Sequence, residues 1–148
     1  MFANAKPSEL IALLATIDPA SQAAGTINTG WVNHGLFGNL LAIIETGVLG
    51  TGATIDAKLQ QATDAAGTGS KNVTGKAITQ IVKASGDNKQ ALISTKSADL
   101  DTEGGFAYVR LSITVGTAAS IVGAQVIGTN PRYADASAYN QAAVVQVV

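Results

Sequence analysis

The segment FAYVRLSITVG, Phe106–Gly116, has the clearest periodicity in this chain of 148 residues. Aromatic, charged and hydroxylated residues occupy one set of alternate positions, and every position between them is apolar: Ala107, Val109, Leu111, Ile113 and Val115. A period of two with β-branched and aromatic residues is typical of a strand with one buried face. The segment therefore requires a fold that contains a sheet and gives this strand a core to face.

Turn-forming residues separate several other strand-like segments. The near-continuous apolar run Asn39–Leu49 predicts a fully buried strand. The turn Ser85–Asn88 predicts either a hairpin or a sheet-to-sheet connection between the strands on its two sides. We expect the last strand to pair with Phe106–Gly116, which it follows after a short link. The predicted strands are Gly25–Asn33, Asn39–Leu49, Thr54–Thr63, Lys76–Ala84, Lys89–Lys96, Phe106–Gly116 and Ser120–Tyr133.

The segment Asp56–Gly75 is ambiguous when it is considered alone. Its first half contains good helix formers, and helical spacing fits its apolar residues as well as alternation does. The frequent turn signals on both sides favour an all-β fold, so we predict a strand at Thr54–Thr63. Asp64–Gly75 is then a long exposed loop.

These segments predict an all-β protein, a single antiparallel, jelly-roll-like β-sandwich with extended ends. We assign residues 1–148 to one sandwich domain, with an N-terminal arm at 1–24 and a C-terminal arm at 134–148. The apolar run Leu10–Ala15 fits a short helix, a first strand or an arm packed on a neighbour. We expect Asp18-Pro19 to end it, because proline restricts the residue before it and interrupts regular pairing.

The composition excludes several classes of function. Charged residues make up 13% of the chain, against about 25% in an average protein, which suggests an uncharged polar surface or one partly covered by a partner. The nine basic residues are dispersed, so neither a specific nucleic-acid interface nor a polybasic membrane patch is expected. The chain has no cysteine and one histidine, which removes thiolate chemistry and most zinc sites.

No motif for catalysis is complete. DLDTEG, Asp99–Gly104, begins like a calcium loop, but Arg110 stands where the bidentate glutamate belongs. We interpret it as a polar turn and keep weak calcium binding as an alternative. His34 lacks a recognisable nucleophile and acid around it, and Trp31 and Phe37 are expected to be core or interface anchors. We predict no catalytic residue, no metal site and no cofactor.

The chain is apolar towards both ends. The segment AAVVQVV, Ala142–Val148, is strand-like, and an exposed segment of this kind promotes aggregation unless a partner covers it. It either pairs with another subunit or packs on its own sheet. The candidate contact segments are the N-terminal arm, the C-terminal arm and the Asp64–Gly75 loop.

Three stretches together resemble small virion proteins of tailed bacteriophages and related gene-transfer particles, covering roughly Ile17 to Tyr133. They are TIDPASQAAGTINTGWVN, ATIDAKLQQATDAAGTGSKNVTGKAITQI and GFAYVRLSITVGTAASIVGAQVIGTNPRY. The resemblance implies a non-enzymatic decoration or cement protein on the capsid surface, made in the cytoplasm of a bacterial host. Its implied partners are the major capsid protein of an HK97-type shell and neighbouring copies of itself as a homo-oligomer.

Other functions stay open at this point. A tail or head–tail connector component is the first alternative, and it differs from a cement protein in its copy number. A carbohydrate- or host-surface-binding β-sandwich is the second, and it requires exposed aromatic residues in a groove. An enzyme is disfavoured, because the chain has one histidine, no cysteine and no complete motif.

Overall fold

The computed structural model describes residues 4–148 and shows two antiparallel sheets packed face to face. Two four-residue helices, α1 (Pro7–Leu10) and α2 (Lys83–Gly86), lie outside the sheets, as do 3-10 turns at His34–Leu36, Ser97–Asp99 and Ala136–Tyr139. In chain order the strands are β1 (Ile11–Gln22), β2 (Gly25–Asn28), β3 (Val32–Asn33), β4 (Phe37–Thr46), β5 (Thr54–Ala62), β6 (Lys71–Ala77), β7 (Ile81–Val82), β8 (Gln90–Lys96), β9 (Tyr108–Gly116) and β10 (Ser120–Pro131).

The strand order is that of a jelly roll. The four-stranded sheet runs β1-β10-β4-β8, and the six-stranded sheet runs β2-β9-β5-β6, with β3 beside β9 and β7 beside β5. The chain passes repeatedly from one sheet to the other, so neighbours in each sheet come from distant parts of the sequence. This arrangement of two interleaved sheets confirms the predicted all-β, jelly-roll-like sandwich.

The core lies between the sheets and is built from the inward residues of both. Ile44 on β4 and Leu111 on β9 are completely buried and represent the two inner faces. Phe37 is also completely buried, and its ring occupies the space beside Gly128. A Cβ atom at Gly128 would come within 2.7 Å of that ring, so glycine is needed here for space.

The two strands with the strongest local signal form where they were predicted. β9 buries Val109, Leu111, Ile113 and Val115 on its inner side, in agreement with the alternation. β5 occupies most of the predicted Thr54–Thr63 and buries Ile55, Ala57 and Leu59. The ambiguity at this segment is therefore resolved in favour of a strand, because β9 supplies a partner along the whole length of β5.

The prediction of an N-terminal arm at 1–24 is wrong for most of its length. β1 occupies Ile11–Gln22 and pairs with β10 from Ile11 to Gln22. Asp18-Pro19 does not end the strand, since a register shift between Ile17 and Ala20 accommodates the proline as a bulge. Residues 1–3 of the predicted arm lie outside the described residues.

Two further predictions differ from the structure, and one alternative that the sequence left open is decided. Ser120–Tyr133 does not pair with Phe106–Gly116, because β9 and β10 belong to different sheets. Lys76–Ala84 is not one strand: β6 ends at Ala77, and the short β7 and α2 follow it. Ser85–Asn88 is consequently a connection between sheets, one of its two predicted alternatives, since β7 pairs with β5 and β8 with β4.

Candidate contact surfaces

The outer face of the four-stranded sheet is apolar at its centre, and we call this surface the apolar face. Leu13, Ile127 and Leu41 lie side by side on β1, β10 and β4. Ile43 and Leu92 lie side by side on β4 and β8. Leu92 is 64% exposed, and the other four side chains are half-buried. These five residues form a contiguous patch, and the two sheets of the described chain place no second layer over it.

The prediction that Asn39–Leu49 is a fully buried strand is wrong for its outward side. Its continuous apolar run predicted burial on both sides, but β4 buries Leu40, Ala42 and Ile44 and leaves Leu41 and Ile43 half-buried. The apolar face was not predicted from the sequence. The signal was present, because an apolar run too continuous for a half-exposed strand also arises when a partner covers the outer side.

The C-terminal segment, residues 136–148, begins against the sandwich and then leaves it. Tyr139 packs edge-on against Phe37, with ring centroids 5.4 Å apart. Asn140 Oδ1 accepts the Leu13 N–H at 2.8 Å, and the Gln141 N–H donates to the Leu13 carbonyl at 2.8 Å. The predicted arm at 134–148 is therefore attached to the free edge of β1 by its first half.

The second half of this segment is exposed. Val145 and Val148 are 95% and 101% exposed, and Val147 is 51% exposed. Ala142–Val148 forms no strand, although its composition predicted one, since no strand within residues 4–148 pairs with it. A β-branched apolar segment is thus held at the edge of the sandwich by Asn140 and Gln141.

The predicted Asp64–Gly75 loop is shorter than expected, because β6 begins at Lys71. The Asp64 carboxylate accepts the N–H groups of Ala66 and Thr68 at 2.9 and 3.0 Å and holds the remaining turn in one shape. The hydrogen bonds from Thr68 lower the pKa of Asp64. This loop packs on Trp31: a Cβ atom at Gly67 would lie 2.6 Å from the indole nitrogen.

His34 is buried where the chain crosses from β3 to β4, with 1% of its surface exposed. Its Nδ1 atom lies 3.4 Å from Ser97 Oγ, and its Nε2 atom has no hydrogen-bond partner among the described residues. Burial lowers the pKa of His34, although nearby carbonyl groups and Asp99 oppose the shift. The imidazole is therefore neutral near pH 7, and none of the described carboxylates is hydrogen-bonded to it.

Two carboxylates of the Asp99–Gly104 turn form ion pairs with lysines. Asp99 accepts the Lys96 N–H at 2.9 Å and lies 3.0 Å from Lys76 Nζ. Asp101 forms an ion pair with Lys71 and accepts the Gly104 N–H at 3.0 Å. Within residues 4–148 no group of three or more possible metal ligands occurs.

The two aromatic residues singled out from the sequence have different environments. Phe37 is a core residue. Trp31 is half-buried, and the Arg110 guanidinium lies over its ring at 4.5 Å from the centroid. Arg110 in turn donates to Gln60 Oε1 at 2.9 Å. The indole face is therefore occupied by a side chain of the same sheet.

Comparisons with known proteins show structural similarity but no related sequence family. Neither protein-family models nor curated proteins match the chain. Among solved structures, it is similar to a CBM4 protein at 15% identity, covering 77% of this chain and 67% of that one, with a TM-score of 0.45. It is also similar to a chain of infectious bursal disease virus Gt strain at 12% identity and a TM-score of 0.44.

That second match covers 85% of this chain, which spans only 33% of the viral one. A third, to Desmodium yellow mottle tymovirus, has 13% identity, covers 87% of this chain and 97% of that one, and has a TM-score of 0.40. Such low scores carry no argument about function. In the described part of the chain, no helix is long and apolar enough to cross a membrane.

Proposed function

We propose that this chain is a structural protein of a virion, which binds a capsid shell and stabilises it without catalysis. Its partners in this proposal are the major capsid protein of an HK97-type shell and neighbouring copies of the chain. It is made in the cytoplasm of a bacterial host and ends on the capsid surface. The proposal rests on the sequence resemblance and on the contact surfaces described above.

The exposed end of the C-terminal segment is the observation that carries the proposal. Asn140 and Gln141 fix the start of Ala142–Val148 to β1, so the exposed Val145, Val147 and Val148 extend from a defined point at the edge of the sandwich. Three valines are half or fully exposed in the free chain, and burying their apolar surface under a partner is favourable. Extended β-branched segments add readily to the edge of another sheet. We assign the shell contact to this segment.

The first test counts copies of the chain in purified particles by quantitative mass spectrometry, relative to the most abundant shell protein. The expected ratio is near one to one or another large symmetric fraction. A handful of copies per particle would instead indicate a tail or connector component. Absence from particles would contradict the proposal as a whole.

The second test removes Ala142–Val148. The shortened chain should keep its thermal unfolding midpoint, because these residues add little to the core, and its copy number on particles should fall. Lys58→Glu on the six-stranded sheet is the matched surface control and should leave the copy number unchanged. An unfolded shortened chain, or one that occupies particles normally, would show that the segment is not the shell contact.

A further inference from the structure

We infer that the apolar face is a self-association surface, on which two copies of this chain pack sheet against sheet around a two-fold axis. The inference identifies one partner of the proposed function, the second copy. It concerns the free protein, so it holds or fails whether or not the chain reaches a particle.

The chemistry of the apolar face is that of a covered surface. An antiparallel sheet with one face in water normally carries polar residues there. Here leucine or isoleucine occupies central outward positions on all four strands, with the polar Gln125 and Ser94 beside them: Leu13, Ile127, Leu41, Ile43 and Leu92. Two sheets packed face to face are about 10 Å apart with interdigitated side chains, and a second copy of the same face supplies that layer.

Opposite charges lie at the two ends of this face. Glu45, at one end, pairs across the strands with Gln90, and Lys96, at the other end, pairs with Asn39. Both charged residues are exposed, and neither forms an ion pair with any residue between 4 and 148. Asn39 and Glu45 are six residues apart on β4, which is about 20 Å along a strand. Glu45 and Lys96 of one copy are consequently too far apart to pair with each other.

The charge arrangement selects one of the possible symmetries. Ala42 lies midway between Asn39 and Glu45 on β4. A two-fold axis in the interface plane, perpendicular to the strands at the level of Ala42, keeps β4 over β4 and reverses its direction. Glu45 of each copy then lies at the level of Lys96 of the other. An axis parallel to the strands would keep Glu45 at the level of Glu45 of the other copy, and over it when the axis runs along β4, so repulsion disfavours that arrangement.

The resulting interface is self-complementary. Each copy contributes the same apolar centre, and the charged pair occurs twice because the axis repeats it. Glu45 of one copy and Lys96 of the other lie on adjacent strand positions in facing sheets. Their long side chains extend towards each other across the gap between the two sheets. An apolar centre with charged residues at its rim is the usual anatomy of a protein interface.

The test measures the oligomeric state of the full chain by sedimentation velocity over a range of concentrations. We expect a concentration-dependent dimer. Glu45→Lys alone and Lys96→Glu alone should each raise the dissociation constant of the dimer about tenfold, because each turns two attractive pairs into repulsive ones. The double variant Glu45→Lys/Lys96→Glu should restore it towards the original value. Restoration cannot come from within one chain, given the distance between the two residues.

Two further variants separate this surface from other contacts. Leu92→Lys should abolish the dimer and leave the chain folded by circular dichroism, since Leu92 contributes little to the core. Lys58→Glu, on the outer face of the other sheet, and removal of Ala142–Val148 should both leave the dimer intact. A monomer at every concentration, a dimer that survives Leu92→Lys, or a double charge variant as weak as the single ones would overturn the inference.

Discussion

The outer faces of the two sheets differ, although their inner faces are alike. On the six-stranded sheet, Arg110 bonds to Gln60, Gln60 to Asn72 and Thr26 to Thr114, so neighbouring strands are joined by polar side chains. The equivalent surface of the four-stranded sheet is the apolar face. The outer face of the six-stranded sheet presents polar side chains to water, whereas the apolar face presents leucine and isoleucine.

This difference shows which positions the fold constrains. Inward positions of both sheets must be apolar, because they meet in one core, and so they carry no information about partners. Outward positions are free of that requirement, so their chemistry reflects what surrounds the folded protein. An apolar outer face beside a polar one is therefore better evidence for a partner than the overall composition is.

The largest expected effect comes from the inner faces. Ile44→Ala in the four-stranded sheet and Leu111→Ala in the six-stranded sheet should each lower the free energy of unfolding by about 2–5 kcal/mol, because both side chains are fully buried and leave a cavity. Urea denaturation of dilute protein measures the change.

Leu92→Ala is the control in the same sheet. Its side chain is 64% exposed, so we expect a change within about 0.5 kcal/mol for the monomer. A loss at Leu92 as large as that at Ile44 would remove the contrast between inner and outer faces, since it would mean that the folded chain itself covers the apolar face.

The next effect concerns the crossing between the sheets, where His34 is buried. Its pKa in the folded chain is lowered by burial, so the unfolded chain takes up the proton first as the pH falls. The stability that neutral His34 contributes is fully present above its ordinary pKa of 6.5. It declines as the pH falls from that value to the lowered pKa of the folded chain. Thermal unfolding midpoints measured between neutral and mildly acidic pH should show this decline, and His34→Gln should remove it.

A second decline is expected at lower pH. Hydrogen bonds lower the pKa values of Asp64, Asp87, Asp99 and Asp101 below the ordinary value of 3.8. Their contribution is present above that value and is lost below it, as the pH falls through the lowered pKa values of the folded chain. This decline should persist in His34→Gln. A wild-type midpoint that stays constant from neutral pH to pH 5 would contradict the role given to His34.

The smallest effect comes from the polar outer face. Arg110→Ala removes the contact with Trp31 and the hydrogen bond to Gln60, and it should cost about 1 kcal/mol in urea denaturation. Lys89→Ala, an exposed position one residue before β8, should change stability by less than about 0.5 kcal/mol. Equal effects at the two positions would indicate that the polar face is not an ordered network.

Much of the fold could be predicted because alternation is a local property. The period-two pattern of β9 and the turn signals around β5 depend only on nearby residues, and both strands form where they were expected. The absence of a catalytic motif likewise follows from residue types and spacing, and it stays a prediction. The choice of C-terminal residues as contacts also came from composition, although only the structure shows that Asn140 and Gln141 attach them to β1.

By itself, the sequence determined that β5 and β9 are strands and which side of each is apolar, since both follow from residue types a few positions apart. Only the tertiary structure decided that β1 continues through the Asp18-Pro19 bulge, that β9 and β10 lie in different sheets, and that Leu41 and Ile43 face outward. Pairing joins strands far apart in the chain, and the competing pairings have similar local patterns. Whether an apolar residue is buried depends on how many layers the fold supplies, and this sandwich supplies one layer to β4.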